Sequence, residues 1–234
     1  MTEEQKRIAR YMRSIIEGSD LVEYHKNCET VQDPYSIRCS PQALGGCLDL
    51  LDFCREQTER EMDGVTDNPV IIDGEAISGE DFHGAQIAQA LDCISMALAS
   101  ISTSSERSGM MLAQAASSAS ENKLLSHPAS VDSIPTSGLQ EDLVSMGMNS
   151  ALKAMRSLKN CRYVVAIELL CASTRTKDEL FNKRAGGTMR AYGSVREHMP
   201  FLENDCPLHK DIESLYDDLE SVVQSEDLRE SMFT

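Results

Sequence analysis

Tryptophan is missing from this chain of 234 residues, and aromatic residues make up only 5% of it. With so little aromatic content, and with Ala, Met, Leu and Ser filling the apolar and neutral positions, the composition argues against sheets and for helices. Basic residues are in the minority, 22 against 38 acids, giving a formal net charge of −16. They are scattered among the acids with no separate patch, so phosphate backbones and anionic membrane surfaces are excluded as partners. There is no CxxC pair among the eight cysteines. Disulfide scaffolds are short and cysteine-dense, so these cysteines read as reduced, small buried hydrophobes of a cytoplasmic protein. No apolar run approaches the length of a bilayer span, and the opening MTEEQKRIAR has no apolar core of a signal peptide. No GxGxxG follows a strand, and Gly186-Gly187 lacks the spacing and Lys-Ser/Thr end of a P-loop.

What is present is helical periodicity. Residues 2–17 begin with a capping-box pattern, Thr2 with Gln5, and carry Ile8, Met12 and Ile15 on one face. Pro34 and Pro41 break any period between 21 and 40, which reads as a loop. A long helix follows Pro41, marked by Leu44, Cys47, Leu48, Leu51 and Met62. The stretch from Glu61 to Gly84 is dense in Gly, Asp, Asn and Pro, with room for one small hairpin around Val70 to Ile72. Helical spacing returns over 84–105 through Ile87, Leu91, Ile94, Leu98 and Ile101, then over 109–125 with a run of Ala and Ser. The spacing predicts the longest helix over about 142–172, on Val144, Met148, Leu152, Met155, Leu158, Val165 and Leu169. At 1.5 Å per residue it would run roughly 45 Å, a length that belongs to bundles, often shared between subunits. Two shorter helices are expected near 188–199 and 209–224. The expected organisation is a helical-bundle domain over 1–173 and a small helical region over 174–234.

Three polar loops between these helices carry the candidate chemistry. The first holds Gln32, Tyr35 and Arg38; a Tyr exchanges protons and an Arg grips a carboxylate through two parallel hydrogen bonds. The second holds Asp81, Phe82 and His83, where the His is a base or an ordinary surface group; no second His is near enough in sequence for metal binding. The third holds His127, Asp132, Ser133, Gln140, Glu141 and Asp142. Glu141 is either a base or a cap for the long helix. Ser133, His127 and Asp132 crowd one loop without a nucleophile elbow, so a hydrolase triad is rejected.

At these loops the chain resembles the aromatic amino acid ammonia-lyase family. The resemblance rests on VQDPYSIRCSPQALGGCLDLL (31–51), GVTDNPVI (64–71), SGEDFHG (78–84), SENKLLSHPASVDSIPTSGLQEDLVSM (120–146), VVAIELLCAS (164–173) and PFLENDCPLHKDIE (200–213). Pro34 and the QED at 140–142 favour its histidine branch; tyrosine lyases and aminomutases are the nearest alternatives. The resemblance implies an all-α, long-helix bundle of the ammonia-lyase and fumarase-aspartase type, here incomplete, that eliminates ammonia from a small amino acid. It implies Tyr35 and Glu141 as catalytic residues and Gln32, Arg38, Phe82 and His83 as substrate-binding ones, with no metal. It also implies assembly, as a homo-oligomer or with a full-length lyase subunit.

Two departures from the family pattern bear on activity. The family's electrophile, methylidene-imidazolone, forms from Ala-Ser-Gly, and this chain contains no such tripeptide. No cofactor is therefore expected within it, and the chain alone is expected to be inactive. The family also has a segment of roughly thirty residues between SER and SGMMLAQ, which here run together at 105–114, although helix connections ordinarily need about 2–8 residues. A different role follows if these absences are decisive, that of a non-catalytic structural or regulatory subunit.

Overall fold

A computed structural model describes residues 1–25, 29, 31–109, 113–174, 185–204 and 206–220. The helices are α1 (Glu3–Ile16), α2 (Asp20–His25), α3 (Tyr35–Arg38), α4 (Ser40–Asp63), α5 (Ala85–Gly109), α6 (Ala113–Leu125), α7 (Gly147–Thr174), α8 (Gly186–His198) and α9 (His209–Asp217). One antiparallel hairpin, β1 (Val70–Ile72) with β2 (Glu75–Ile77), interrupts them. The all-α, long-helix architecture expected from the spacing is what forms. At α1 the Thr2 hydroxyl accepts from the Gln5 amide at 3.3 Å while the Gln5 side chain accepts from the Thr2 amide at 3.2 Å. This is the reciprocal satisfaction of orphan donors that the pattern predicted. The hairpin turns on Asp73 and Gly74, with φ of 54° and 85°. Two positive-φ residues are what a two-residue hairpin loop needs to match the strands' twist.

The chain divides into two compact units, and α4, α5, α6 and α7 each contribute to both. The second unit comprises Cys47–Ser100 and Ser120–Lys159. Its interior is built from small side chains: Ala88, Ala90, Ala97, Ser95, Ser150, Ala154 and Ser157 are all buried. Small side chains let backbones come close. The Cys54 thiol of α4 donates to the Ala90 carbonyl of α5 at 3.1 Å, and the Asn122 amide of α6 donates to the Ser157 carbonyl of α7 at 3.1 Å. Burial, with Cys93 beside it, pushes the Cys54 thiol up to about 11, so it is an inert packing group at neutral pH. The large apolar residues of α7 here do the opposite of what their spacing suggests. Met148, Leu152, Met155 and Leu158 are each half exposed or more.

The first unit comprises Met1–Gly46, Ile101–Ala119 and the described part of Asn160–Thr234. Val164, Ile167 and Leu170 of α7 pack with Ala115 and Ala119 of α6, Val195 of α8, Met199, and Ile212 and Leu215 of α9. Tyr163 stacks on Tyr216 with ring centroids 4.2 Å apart, and the Arg162 guanidinium lies over the same ring at 4.8 Å. α1 seats on α8 because position 187 has no side chain. A Cβ there would stand 2.9 Å from the Ile15 Cα. The next residue, Thr188, donates its hydroxyl to the Ile15 carbonyl at 3.3 Å. The Gly186-Gly187 pair, uninformative as a ligand motif, is thus a packing device.

One carboxyl in this unit is held against its charge. The Ser105 hydroxyl of α5 donates to Glu168 of α7 at 2.5 Å, yet burial raises the Glu168 carboxyl above its ordinary value. A raised carboxyl binds its proton more readily when folded. Its contribution to stability is therefore full below the unfolded value and lost as pH rises through the folded one. Glu168→Gln is expected to raise the thermal midpoint above that of the parent at neutral pH, with the difference shrinking as the solution is acidified. Thermal scans of both proteins across pH 4–8 test this, and a pH-independent difference would count against it.

Several expectations need correction. Residues 21–40 are not all loop, since α2 and the single turn α3 form within them. The longest helix begins at Gly147, not near 142: Met146 has φ 58°, outside helical space, and the Ser133 hydroxyl accepts from the Val144 amide at 2.9 Å. Glu141 consequently caps no helix. α5 extends to Gly109 and α6 starts at Ala113, while 110–112, which hold Met110, Met111 and Leu112, lie outside the described residues. So do 221–224 of the expected last helix. By length and composition α5, unlike the expectation from apolar runs, could cross a membrane. It nevertheless buries Ala88, Asp92, Ser95, Ala97 and Ser102, as a core helix does.

Candidate active-site loops

Pro34 fixes the entry to α3, and the Arg38 amide donates back to its carbonyl at 3.1 Å. One helical turn places Tyr35 and Arg38, three residues apart, on the same face. The Arg38 guanidinium lies 4.5 Å from the Tyr35 ring centroid, a cation–π contact that aligns the two side chains. Tyr35, Arg38 and Gln32 are exposed. These three belong to the first unit.

Phe82, His83 and Glu141 belong to the second unit. All three are exposed. The structure links the loops that bear them. His83 Nε2 lies 2.9 Å from the Leu143 carbonyl, so it donates there as the Nε2–H tautomer. Two residues earlier, Glu141 accepts from the Thr136 hydroxyl at 2.6 Å. Hydrogen bonds from Thr136 first and Ser137 second hold its carboxyl below the ordinary glutamate value. The third loop therefore presents an ionised carboxylate at neutral pH, suited to a substrate N–H or cation rather than to proton donation.

The residue that anchors this loop was not among those singled out from the sequence. Asp92 of α5 is 3% exposed. Its two oxygens accept from the Ala129 amide at 3.1 Å and the Ser130 amide at 2.8 Å. Burial alone would raise the carboxyl, but the amides of Ser130 and Ala129 outweigh it and bring it below the ordinary value. A lone acid inside the apolar stretch LDCISMALAS was the available signal, because an unpaired Asp is almost never buried without donors. An open groove of about 640 Å³ beside α1 and α2, lined by Arg10, Arg13, Ser19 and Asp20, involves none of the predicted site residues. Among the described residues no group of three or more His, Cys, Asp and Glu is placed to hold a metal ion.

The model of the aromatic amino acid lyase family matches residues 1–112 and 102–197. The histidine ammonia-lyase of Myxococcus xanthus is 41% identical over 239 aligned positions, covering 90% of this chain and 47% of that protein. Among solved structures, the histidine ammonia-lyase of Trypanosoma cruzi superposes with a TM-score of 0.80 at 29% identity, over 98% of this chain and 48% of that one. The tyrosine aminomutase of Streptomyces globisporus gives 0.82 at 26% identity, over 98% and 52%. The chain spans about half the length of the curated relatives it matches. The long-helix bundle is that of the ammonia-lyase and fumarase-aspartase superfamily. From its sequence and its fold together, the chain belongs to the aromatic amino acid lyase family.

Proposed function

We propose that the chain is the carboxyl-terminal part of a carbon–nitrogen lyase of the histidine branch, converting L-histidine to urocanate and ammonia once the missing portion is supplied. The observation that carries this is the 41% identity to a histidine ammonia-lyase across 90% of the chain. The resemblance of the loop motifs to the family's supports assigning Gln32, Tyr35, Arg38, Phe82 and Glu141 to the site. Arg38 would clamp the substrate carboxylate, Tyr35 would handle a proton, and ionised Glu141 would accept from the imidazole N–H. Gln32 and Phe82 would shape the pocket. His83, assigned to the substrate from the motif, is engaged with Leu143 and would reach substrate only from its free face. The proposed lyase would act in the cytoplasm on a small amino acid, without nucleic acid or membrane.

The family's electron sink is made from Ala-Ser-Gly. This chain has no such tripeptide, so its residues do not build that group, and orientation alone cannot replace it. An internal deletion is part of the same reading. The 239 aligned positions draw on 90% of 234 residues, about 211, leaving about 28 filled by the relative alone. The two family-model matches overlap at 102–112, where SER meets SGMM, which supports the same junction.

The decisive measurement follows urocanate by ultraviolet absorbance with the chain alone and with a supplied amino-terminal fragment of a histidine ammonia-lyase. No turnover alone and turnover with the fragment is expected. Turnover by the chain alone would overturn the inactivity. Failure in both arms would favour the second reading, a non-catalytic subunit assembling with an intact lyase or with itself. The exposed Met148, Leu152, Met155 and Leu158 stripe on α7 favours assembly in either case, because a contiguous apolar face of that kind marks an interface.

A further inference from the structure

The turn before Glu141 is more tightly specified than a surface loop needs to be. Thr136 and Glu141 form an isolated antiparallel bridge, with the Thr136 amide donating to the Glu141 carbonyl at 2.9 Å. Between them Ser137, Gly138 and Leu139 all have positive φ, at 49°, 66° and 72°. Ser and Leu adopt that conformation only where surrounding contacts impose it. The contacts are present on each side. Asp92 holds the amides of Ala129 and Ser130, the Ser133 hydroxyl accepts from the Val144 amide, and His83 reaches the Leu143 carbonyl. This bracing sets a 2.6 Å hydrogen bond from the Thr136 hydroxyl to Glu141 Oε2, the larger of the two side-chain influences on that carboxylate, the smaller coming from Ser137.

We propose that Thr136 is a positioning residue for Glu141, its hydroxyl fixing the direction of the carboxylate that receives the substrate's nitrogen. The assignment of Glu141 to substrate rests on the reading above; the seating of Glu141 by Thr136 does not. Two chemical consequences follow from a short O–H···O⁻ bond. The carboxylate loses rotational freedom, and its charged form is favoured. A serine at 136 keeps the hydroxyl, whereas a valine keeps the shape and loses it. The other ionisable groups on the same loops, Glu80, Asp81, His83, His127, Asp132 and Asp142, stay in place in either variant.

The test uses the full 234-residue chain labelled with ¹³C at glutamate carboxyls, the Glu141 resonance being assigned by its loss in Glu141→Gln. In Thr136→Val the Glu141 titration midpoint is expected to move up toward the ordinary glutamate value, while Thr136→Ser keeps the parent value. An unmoved midpoint in the valine variant, or an equal rise in the serine variant, overturns the proposal. If the valine variant fails to fold, the serine variant and Thr136→Ala decide it by the same criterion. A second arm measures turnover of histidine in the fragment-complemented enzyme, where Thr136→Val should lower kcat/KM about tenfold and Thr136→Ser should restore it. If Glu141→Gln leaves turnover intact, the substrate assignment fails, and the titration arm still decides the role of Thr136.

Discussion

Asp92→Ala is expected to lower the unfolding free energy by about 2–4 kcal/mol, because it leaves two backbone amides without an acceptor, one buried and one partly so. The loss should be read by urea denaturation, with hydrogen exchange showing the largest gain in amides 129–146. Acid should imitate the substitution. The folded carboxyl lies below its unfolded value, so its contribution is present above the unfolded value and disappears as pH falls through the folded one. The gap between parent and variant should therefore close in acid. A gap that held constant into strong acid would show that the charge on Asp92 is not what holds Ala129 and Ser130.

Arg38→Ala is expected to reduce kcat/KM of the fragment-complemented enzyme by roughly 30-fold or more, the effect of truncating one partner of a hydrogen-bonded charge pair at about 2–5 kcal/mol. Arg38→Lys should recover only part of the loss, since a lysine supplies the charge without the planar fork that matches a carboxylate. The cation–π contact adds a second dependence. With its guanidinium 4.5 Å from the Tyr35 ring, Arg38 also steadies the tyrosine, so Tyr35→Phe should keep the arginine in place while Arg38→Ala removes the carboxylate clamp and loosens the tyrosine as well. Steady-state kinetics on the three variants separates these effects. Unchanged activity in Arg38→Ala would remove this residue from the site.

The helices legible in the sequence are those with a face to bury. Ile87, Leu91, Ile94, Leu98 and Ile101 recur at three and four, and α5 runs through them. Where periodicity misleads, a local hydrogen bond or a partner surface outweighs it. Leu143, Val144 and Met146 continue the apolar pattern of α7, but Ser133 captures the Val144 amide and Met146 turns left-handed, so the helix waits until Gly147. Met148, Leu152 and Met155 keep helical spacing yet face outward, because spacing reports that a face is apolar and not what covers it. α3 has one turn and no apolar period to display, and Pro34 is its only local mark. In the site, the residues that would meet substrate are carried by motif. Asp92 and Thr136 act through backbone amides and one hydroxyl at distances of 5–38 residues along the chain, and such pairings leave no periodic trace.

The seat of α1 on α8 has a bearing on how the protein is made. The Ile15 carbonyl and the Thr188 hydroxyl that meets it are 173 residues apart in sequence. At a ribosomal rate of roughly 5–20 residues per second, the amphipathic face of α1 emerges on the order of 10–35 s before its partner. The first unit is drawn from three separate stretches of chain and is completed last, after every helix of the second unit has left the ribosome. During that interval α1 is a nascent segment with its docking glycine not yet synthesised. Chaperone capture of translation intermediates should therefore concentrate on chains that end before α8 and fall away once α8 is exposed.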